Sequence, residues 1–320
     1  MYIVQQKQFD VLVVGELNID LILDGLQQLP EVGKEILADK MLYAMGSSAA
    51  IFASNLSTLG AAVNFAGCIG KDDFSEKILK ELTAKGVNTS EIIRSDTAAT
   101  GITVVFNFHQ SRGMVTYAGA MNELSEADIT DAMLKNAKHL HVSSVFIQPA
   151  LKPGLTKLFK RAKQFGLTTS LDPQWDSYEQ WQCDWQNLLP LVDVFLPNME
   201  ELKNITQEST LQAAVNSIKN HSNIIAVKNS IEGATAFYKN EVAEQPAFIN
   251  YDFTDAIGAG DSFNAGFIRQ FIADRSLKEC VELGAICGAI NTTAPGGTTA
   301  FKSLETVKKI ALEKFNYIIQ

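Results

Sequence analysis

Apolar positions fall into two patterns that alternate almost from end to end of the chain. "FDVLVVGEL" is a continuous apolar run with Gly15 near its end, as expected of a strand buried on both faces. "SSAAIFASNLSTLG" then reads as a small-residue helix stopped at Gly60. "AAVNFAGCIG" reads as strand, and "DDFSEKILKELTAKG" as an amphipathic helix with its own glycine stop. "HLHVSSVF", "LTTSLDP", "VDVFLPN" and "NIIAVKN" are four further strand-like runs, separated by helical patterns at about 151–165, 178–189 and 210–220. This rhythm predicts an α/β fold, a three-layer, mostly parallel sheet with helices on both faces. Residues 19–43 and 99–118 depart from it, with alternating stretches such as "ITVVFNF" and "GMVTYAG" and no helix between them. They predict a small antiparallel β-sheet set apart as a lid. No internal repeat or linker-like tract appears, so residues 1–320 read as one domain.

Composition narrows the class. Of the 320 residues, 46% are hydrophobic and 20% charged, the balance of a globular protein with a sizeable core. A net charge of −9 argues against general affinity for nucleic acid or anionic membranes. An anionic ligand therefore needs local positive elements, such as helix ends, lysines or a metal. The four cysteines, Cys68, Cys183, Cys280 and Cys287, have no C-x-x-C spacing and read as free thiols of a reducing compartment. No apolar run reaches about 18 residues and the first ten residues are too polar for a signal sequence. Both point to the cytoplasm.

The sharpest chemical signal is "DAIGAGDSFNAGF", residues 255–267. Phe263, Phe267, Ile268, Phe271 and Ile272 form a helical stripe, so a helix begins near Gly258–Asp261 with a first turn that is small and bare. Small residues admit close approach to the backbone, and a helix N-terminus favours an anion, phosphate above all. Helix-dipole complementarity alone would explain Asp261 but not the three small residues before it. A dinucleotide fingerprint would need glycine where Phe263 stands, and no P-loop string occurs. In an open parallel sheet, ligands bind at the carboxyl ends of the strands. The polar residues there are Asn18, Asp20, Ser143, Ser144, Asp172, Asn198, Lys228 and the Gly258–Asp261 turn.

Taken together, the chain resembles the ribokinase-like carbohydrate kinases, the PfkB family, over nearly its whole length. "DAIGAGDSFNAGF" is similar to that family's D-T-x-G-A-G-D-x-F-x-A-G-F signature, with Ala256 for threonine. "GELNIDLI" is similar to its opening strand and sugar-binding turn, and "LPNMEEL" carries its N-x-x-E motif. "VKNSIEGA" occupies the place of its nucleotide-binding strand and turn. The resemblance implies an ATP-dependent kinase that phosphorylates a sugar hydroxyl, with Asp261 as general base. Gly258, Ala259 and Gly260 would be the anion hole for the γ-phosphoryl group. It further implies sugar contacts at Asn18, Asp20, Gly46 and Ser47, and nucleotide contacts at Lys228, Gly233, Asn291 and Gly296. Asn198 and Glu201 would hold Mg²⁺ through water, and Asp255 would border a monovalent cation such as K⁺. Three apart at a helix start, Asn198 and Glu201 equally suit a capping box.

The chain also departs from the family pattern. Its G-G-x-x-x-N region reads G-S-S-A-A-I, with Ser47 for glycine and Ile51 for asparagine, and Ser230 stands for the nucleotide-strand glycine. These changes leave the acceptor open. A nucleoside kinase would draw an aromatic base pocket from Phe106, Phe108 and Tyr117. A sugar-phosphate kinase would draw on Lys34, Lys40 and Arg112. A sugar-binding regulator without catalysis is the reading from another class. His139 and His141 alternate on one strand without a third ligand nearby and read as structural. The lid's apolar pattern suggests a homodimer through that sheet.

Overall fold

The computed structural model describes residues 7–108, 111–221 and 223–319. Its main sheet has eight strands. From edge to edge they are Glu241–Gln245, Ala234–Tyr238, Ile224–Lys228, Val194–Phe195, Thr168–Asp172, Ala137–Ser143, Phe9–Val14 and Val63–Ala66. The six strands from Ile224–Lys228 to Val63–Ala66 run parallel, and the first two form an antiparallel hairpin on the edge. Alternation along Phe9–Val14 divides the core: Val11 and Val13 pack into one apolar cluster, Leu12 and Val14 into the other. Period-two side-chain alternation with both faces covered gives the three-layer architecture that the apolar runs imply.

The lid is a separate four-stranded sheet in the order Lys40–Met45, Asn18–Leu26, Gly101–Phe108, Ser111–Tyr117, mixed rather than antiparallel as expected, because its central pair runs parallel between two antiparallel ones. Its register sorts the lid residues. Asp20 lies opposite Ala44 and Thr103, and Thr103 opposite Thr116, so these share one face. Leu21, Tyr43, Val104, Val115, Phe106 and Tyr117 project from the other face.

Two local expectations are corrected. The helix expected over 178–189 shrinks to Trp185–Leu188 with a 3₁₀ turn after it. Before it, the Asp176 carboxylate accepts the amides of Tyr178, Gln180 and Trp181 at 2.7–3.0 Å, and Glu179 and Trp181 take positive φ. A side chain satisfying three backbone donors competes directly with helix. The edge hairpin Ala234–Gln245 is absent from the sequence-based expectation. Its short alternation, interrupted by Lys239 and Asn240, carries little apolar signal. Among the described residues no helix is long and apolar enough to cross a membrane.

Candidate active site

Asp261 sits on the third residue of helix Ala259–Phe271, whose N-cap Gly258 takes φ 76°. A Cβ on Gly258 would lie 2.6 Å from the Gly297 Cα, so the turn demands glycine twice over. Asp261 is 7% exposed. Ser48 Oγ donates to its Oδ1 at 2.5 Å and Gln174 Nε2 donates to the same oxygen at 3.1 Å. Burial, reinforced by the charge of Asp172, pushes the Asp261 carboxyl up to about 7, against the pull of Ser48 and Lys228.

Around it lies a cluster built from strand ends. Asp172 and Lys228 close their parallel strands and pair at 3.1 Å, with Asp172 fully buried. Lys228 Nζ also donates to Asn264 Oδ1 at 3.1 Å, and Asn264 Nδ2 donates to Asp172. Glu201 is buried, and desolvation together with the Asp172 charge raises its pKa. Asn198 and Glu201 form the reciprocal capping box: Asn198 Oδ1 accepts the Glu201 amide at 2.9 Å and Glu201 Oε2 the Asn198 amide at 2.8 Å. Three buried carboxylates thus face one lysine, and added positive charge would relieve that excess. Among the described residues no group of three or more His, Cys, Asp or Glu is arranged to hold a metal directly. Carboxylate and amide oxygens of this kind suit a hard cation.

On the lid side, Asn18 and Asp20 are buried, and Asn18 Nδ2 donates to Asp20 Oδ1 at 2.9 Å and to Thr103 Oγ1 at 3.1 Å. A Cβ on Gly46 would stand 2.1 Å from Asp20 Oδ1, so only glycine allows this pair its position. Next to it Ser47 takes φ 73°, a left-handed conformation that suits the glycine of the family pattern better than serine. Its hydroxyl compensates by donating to the Glu16 carbonyl at 2.5 Å and accepting the Ala50 amide at 3.0 Å. Ser230, also in place of a glycine, likewise takes positive φ, 49°. Ile51 wedges its side chain against Gly258 and Gly297. One turn on, Asn55 supplies polar links to Ser262 at 2.9 Å and the Gly297 carbonyl at 3.0 Å.

Lys228, Ala259 and Gly260 line a cavity of about 310 Å³. Its walls are largely apolar, including Phe248, Phe253, Phe263, Ala285 and Ala289, with Gly233 at its margin. Asn291 does not line it: the side chain is fully buried, donating to the Ile257 carbonyl at 2.6 Å and accepting from Ser262 at 3.0 Å. Gly296 also lies elsewhere, next to Leu42 and Ala44 of the lid, its amide donating to Asp255 Oδ2 at 3.0 Å. Asp255 Oδ1 accepts the Ile257 amide at 2.9 Å. With both oxygens on backbone amides, Asp255 anchors these loops. The buried His139 and His141 bond Thr168 and Ser170, and burial drives His139 down to about 3 and His141 well below its usual range. They are neutral parts of the core.

Several groups escaped the sequence reading. Ser48, Gln174, Asn264 and Glu16 reach the cluster only through the fold, and Asp172 stood out solely as a strand-end residue. Glu16 is buried, its Oε1 accepting the Ala49 amide at 3.2 Å and the Ser144 hydroxyl at 2.9 Å.

A buried carboxylate at a helix N-terminus suited to phosphate, linked through Ser48 to the Gly46–Asp20 turn and next along the helix to a residue that lines an apolar cavity, fits a small-molecule phosphotransferase. The sequence matches the pfkB family carbohydrate kinases over residues 8–304, and the chain belongs to that family. It is 25% identical to an ATP-dependent ribose-1-phosphate kinase of Halopiger xanaduensis, covering 96% of this chain and 99% of that protein. To the 2-dehydro-3-deoxygluconokinase of Bacillus subtilis it is 28% identical, covering 81% and 83% of the two chains. The fold is similar to that of an Arabidopsis thaliana ribokinase complexed with ribose and ATP, with a TM-score of 0.82 at 21% identity. That match covers 94% of this chain and 98% of the other. The protein is an ATP-using sugar or nucleoside kinase.

Proposed function

We propose that the chain is a Mg²⁺-requiring sugar kinase transferring the γ-phosphoryl group of ATP to a sugar hydroxyl, with Asp261 as general base. The observation that carries this is the position of Asp261. Its neighbour Gly260 borders the 310 Å³ cavity, while its hydrogen-bond partner Ser48 adjoins the Gly46–Ser47 turn against Asp20. The carboxylate takes the proton of the attacking hydroxyl as its oxygen bonds to phosphorus and ADP leaves. The amides at Gly258–Gly260 receive the phosphoryl oxygens, and Lys228 offsets charge from the cavity side. Mg²⁺ on the ATP phosphates supplies charge neutralisation, and Asn198 and Glu201 would hold it through water.

Several observations weigh on the acceptor. Phe106, Phe108 and Tyr117 share the lid face opposite Asp20, which disfavours an aromatic base pocket and hence a nucleoside. Lys34 is exposed and paired with Glu31, and Lys40 sits at the far end of its strand, opposite Asp24. Neither favours a phosphate group beside Asp20, while the side chain of Arg112 lies outside the described residues. A free sugar is the best fit. ADP release with fructose, ribose, inosine, fructose 6-phosphate and ribose 1-phosphate tests this. Absence of turnover with every acceptor would instead match a non-catalytic sugar-binding regulator.

Asp20→Ala is expected to raise KM for the sugar about 10- to 150-fold, the worth of a charged hydrogen bond, with KM for ATP unchanged. Equal loss of both would mark Asp20 as structural. We also assign the outward lid face to a homodimer contact, because Met41, Val115 and Tyr117 project from it 66%, 64% and 54% exposed. Sedimentation is expected to give a dimer that Val115→Asp dissociates. A monomer at all concentrations would remove the assignment.

A further inference from the structure

We infer that Ser48 and Gln174 form a positioning clamp on Asp261, delivering two hydrogen bonds to one carboxylate oxygen and aiming the base at the incoming hydroxyl. The inference rests on Asp261 acting as that base. Gln174 Nε2 lies 2.8 Å from Ser48 Oγ, 3.0 Å from Asp172 Oδ2 and 3.1 Å from Asp261 Oδ1. Its two N–H protons serve three acceptors, one on Asp172 and the other shared between Ser48 Oγ and Asp261 Oδ1, so the amide bridges two carboxylates that repel each other. With Ser48 Oγ accepting from Gln174, the serine proton is committed to Asp261 at 2.5 Å, and serial bonds of this kind reinforce one another.

Gln174 is held in place at a conformational cost, and Ser48 directly follows a residue that is. Gln174 carries a left-handed backbone, φ 58°, which side-chain-bearing residues adopt only when surroundings impose it. Ser48 opens helix Ser48–Thr58 directly after Ser47 at φ 73°, and Glu16 grips the next amide, that of Ala49. The left-handed Gln174 on one segment and the left-handed Ser47 beside Ser48 on another thus flank a meeting point at one carboxylate oxygen.

The charged groups that act on Asp261 are Asp172 and Glu16, which raise its pKa, and Lys228, which lowers it, while Asp261 in turn raises Glu201. A donor to the ionised form also lowers it, so removing the clamp moves the Asp261 titration upward. The test compares the full-length chain with Ser48→Ala, Gln174→Ala and Ser48→Thr. Each is followed by ¹³C-carboxyl NMR titration of Asp261 and by turnover with fructose or ribose. Ser48→Ala is expected to titrate higher and to lose about 10- to 100-fold in kcat, the scale of a misplaced catalytic group, at unchanged KM for ATP and unchanged Tm. Gln174→Ala is expected to shift in the same direction, and Ser48→Thr to restore both readouts. An unmoved titration in both alanine variants, or a threonine variant that behaves as alanine, overturns the clamp. Asp261→Asn is run alongside. Turnover persisting there overturns the base assignment and the clamp with it, whereas turnover lost there but intact in both alanine variants overturns the clamp alone.

Discussion

Asp261→Asn is expected to keep the fold and ATP binding while kcat falls about 10²- to 10⁴-fold, the usual contribution of a positioned general base. Asparagine is nearly isosteric and its carbonyl oxygen can still accept from Ser48 and Gln174, but its amide cannot take a proton near neutral pH. The wild-type rate is expected to climb as pH rises through about 7, where the buried carboxyl ionises, and this limb should vanish in the variant. Stability should move the other way. The native carboxyl titrates near 7 against 3.8 for the free side chain, so between those values the native state binds more protons than the unfolded one. Ionised Asp261 is thus a stability penalty that grows from about pH 4 and is complete above about 7. At pH 8 the Asn variant is expected to melt several degrees above wild type, with the advantage gone near pH 4. An ordinary first-turn acid complementing the helix dipole would give the opposite result, a modest loss of stability with normal turnover. Scanning calorimetry at the two pH values, with kcat at pH 8, decides between them.

The fold was legible where the chain repeats a simple periodicity. Continuous apolar runs marked the parallel strands because both of their faces are covered, and strict alternation marked the lid because one of its faces is not. The edge hairpin at 234–245 was hidden, being too short and polar for either pattern. The helix at 178–189 was overridden by one carboxylate, Asp176. For the site, legibility followed distance along the chain. Gly258, Gly260 and Asp261 lie in a single string, so their shared chemistry could be read there. The Ser48–Asp261 bond spans 213 positions and the Gln174–Asp261 bond 87, and no local pattern announces such a meeting. Asn291 lies off the cavity lining for a rotational reason. On helix Leu277–Asn291, Ala285, Gly288 and Ala289 form the stripe facing the cavity, and each residue step turns about 100°. Asn291 consequently points inward, toward Ser262 and the Ile257 carbonyl.

Gly260→Val is expected to fold as wild type yet lose ATP use, with kcat/KM for ATP falling about 10²- to 10³-fold, the scale of disrupting an anion-stabilising amide. The atoms a Cβ there would meet belong to the flexible Lys228 side chain, Cδ and Nζ, both at 3.9 Å, so the protein has room for it. That room is the end of the 310 Å³ cavity beside the helix N-terminus, where two methyl groups would stand in the path of phosphate oxygens. Glycine is also the weaker helix former, so valine costs the helix nothing. Gly258→Val provides the contrast. At φ 76° and 2.6 Å from the Gly297 Cα it has neither the conformation nor the space, and the variant should fail to fold. Melting curves of both variants, with calorimetric ATP titration of Gly260→Val, separate a glycine kept for the ligand from one kept for the backbone. Wild-type ATP affinity in Gly260→Val would remove this turn from the phosphate site, and with it the reason for three small residues in front of Asp261.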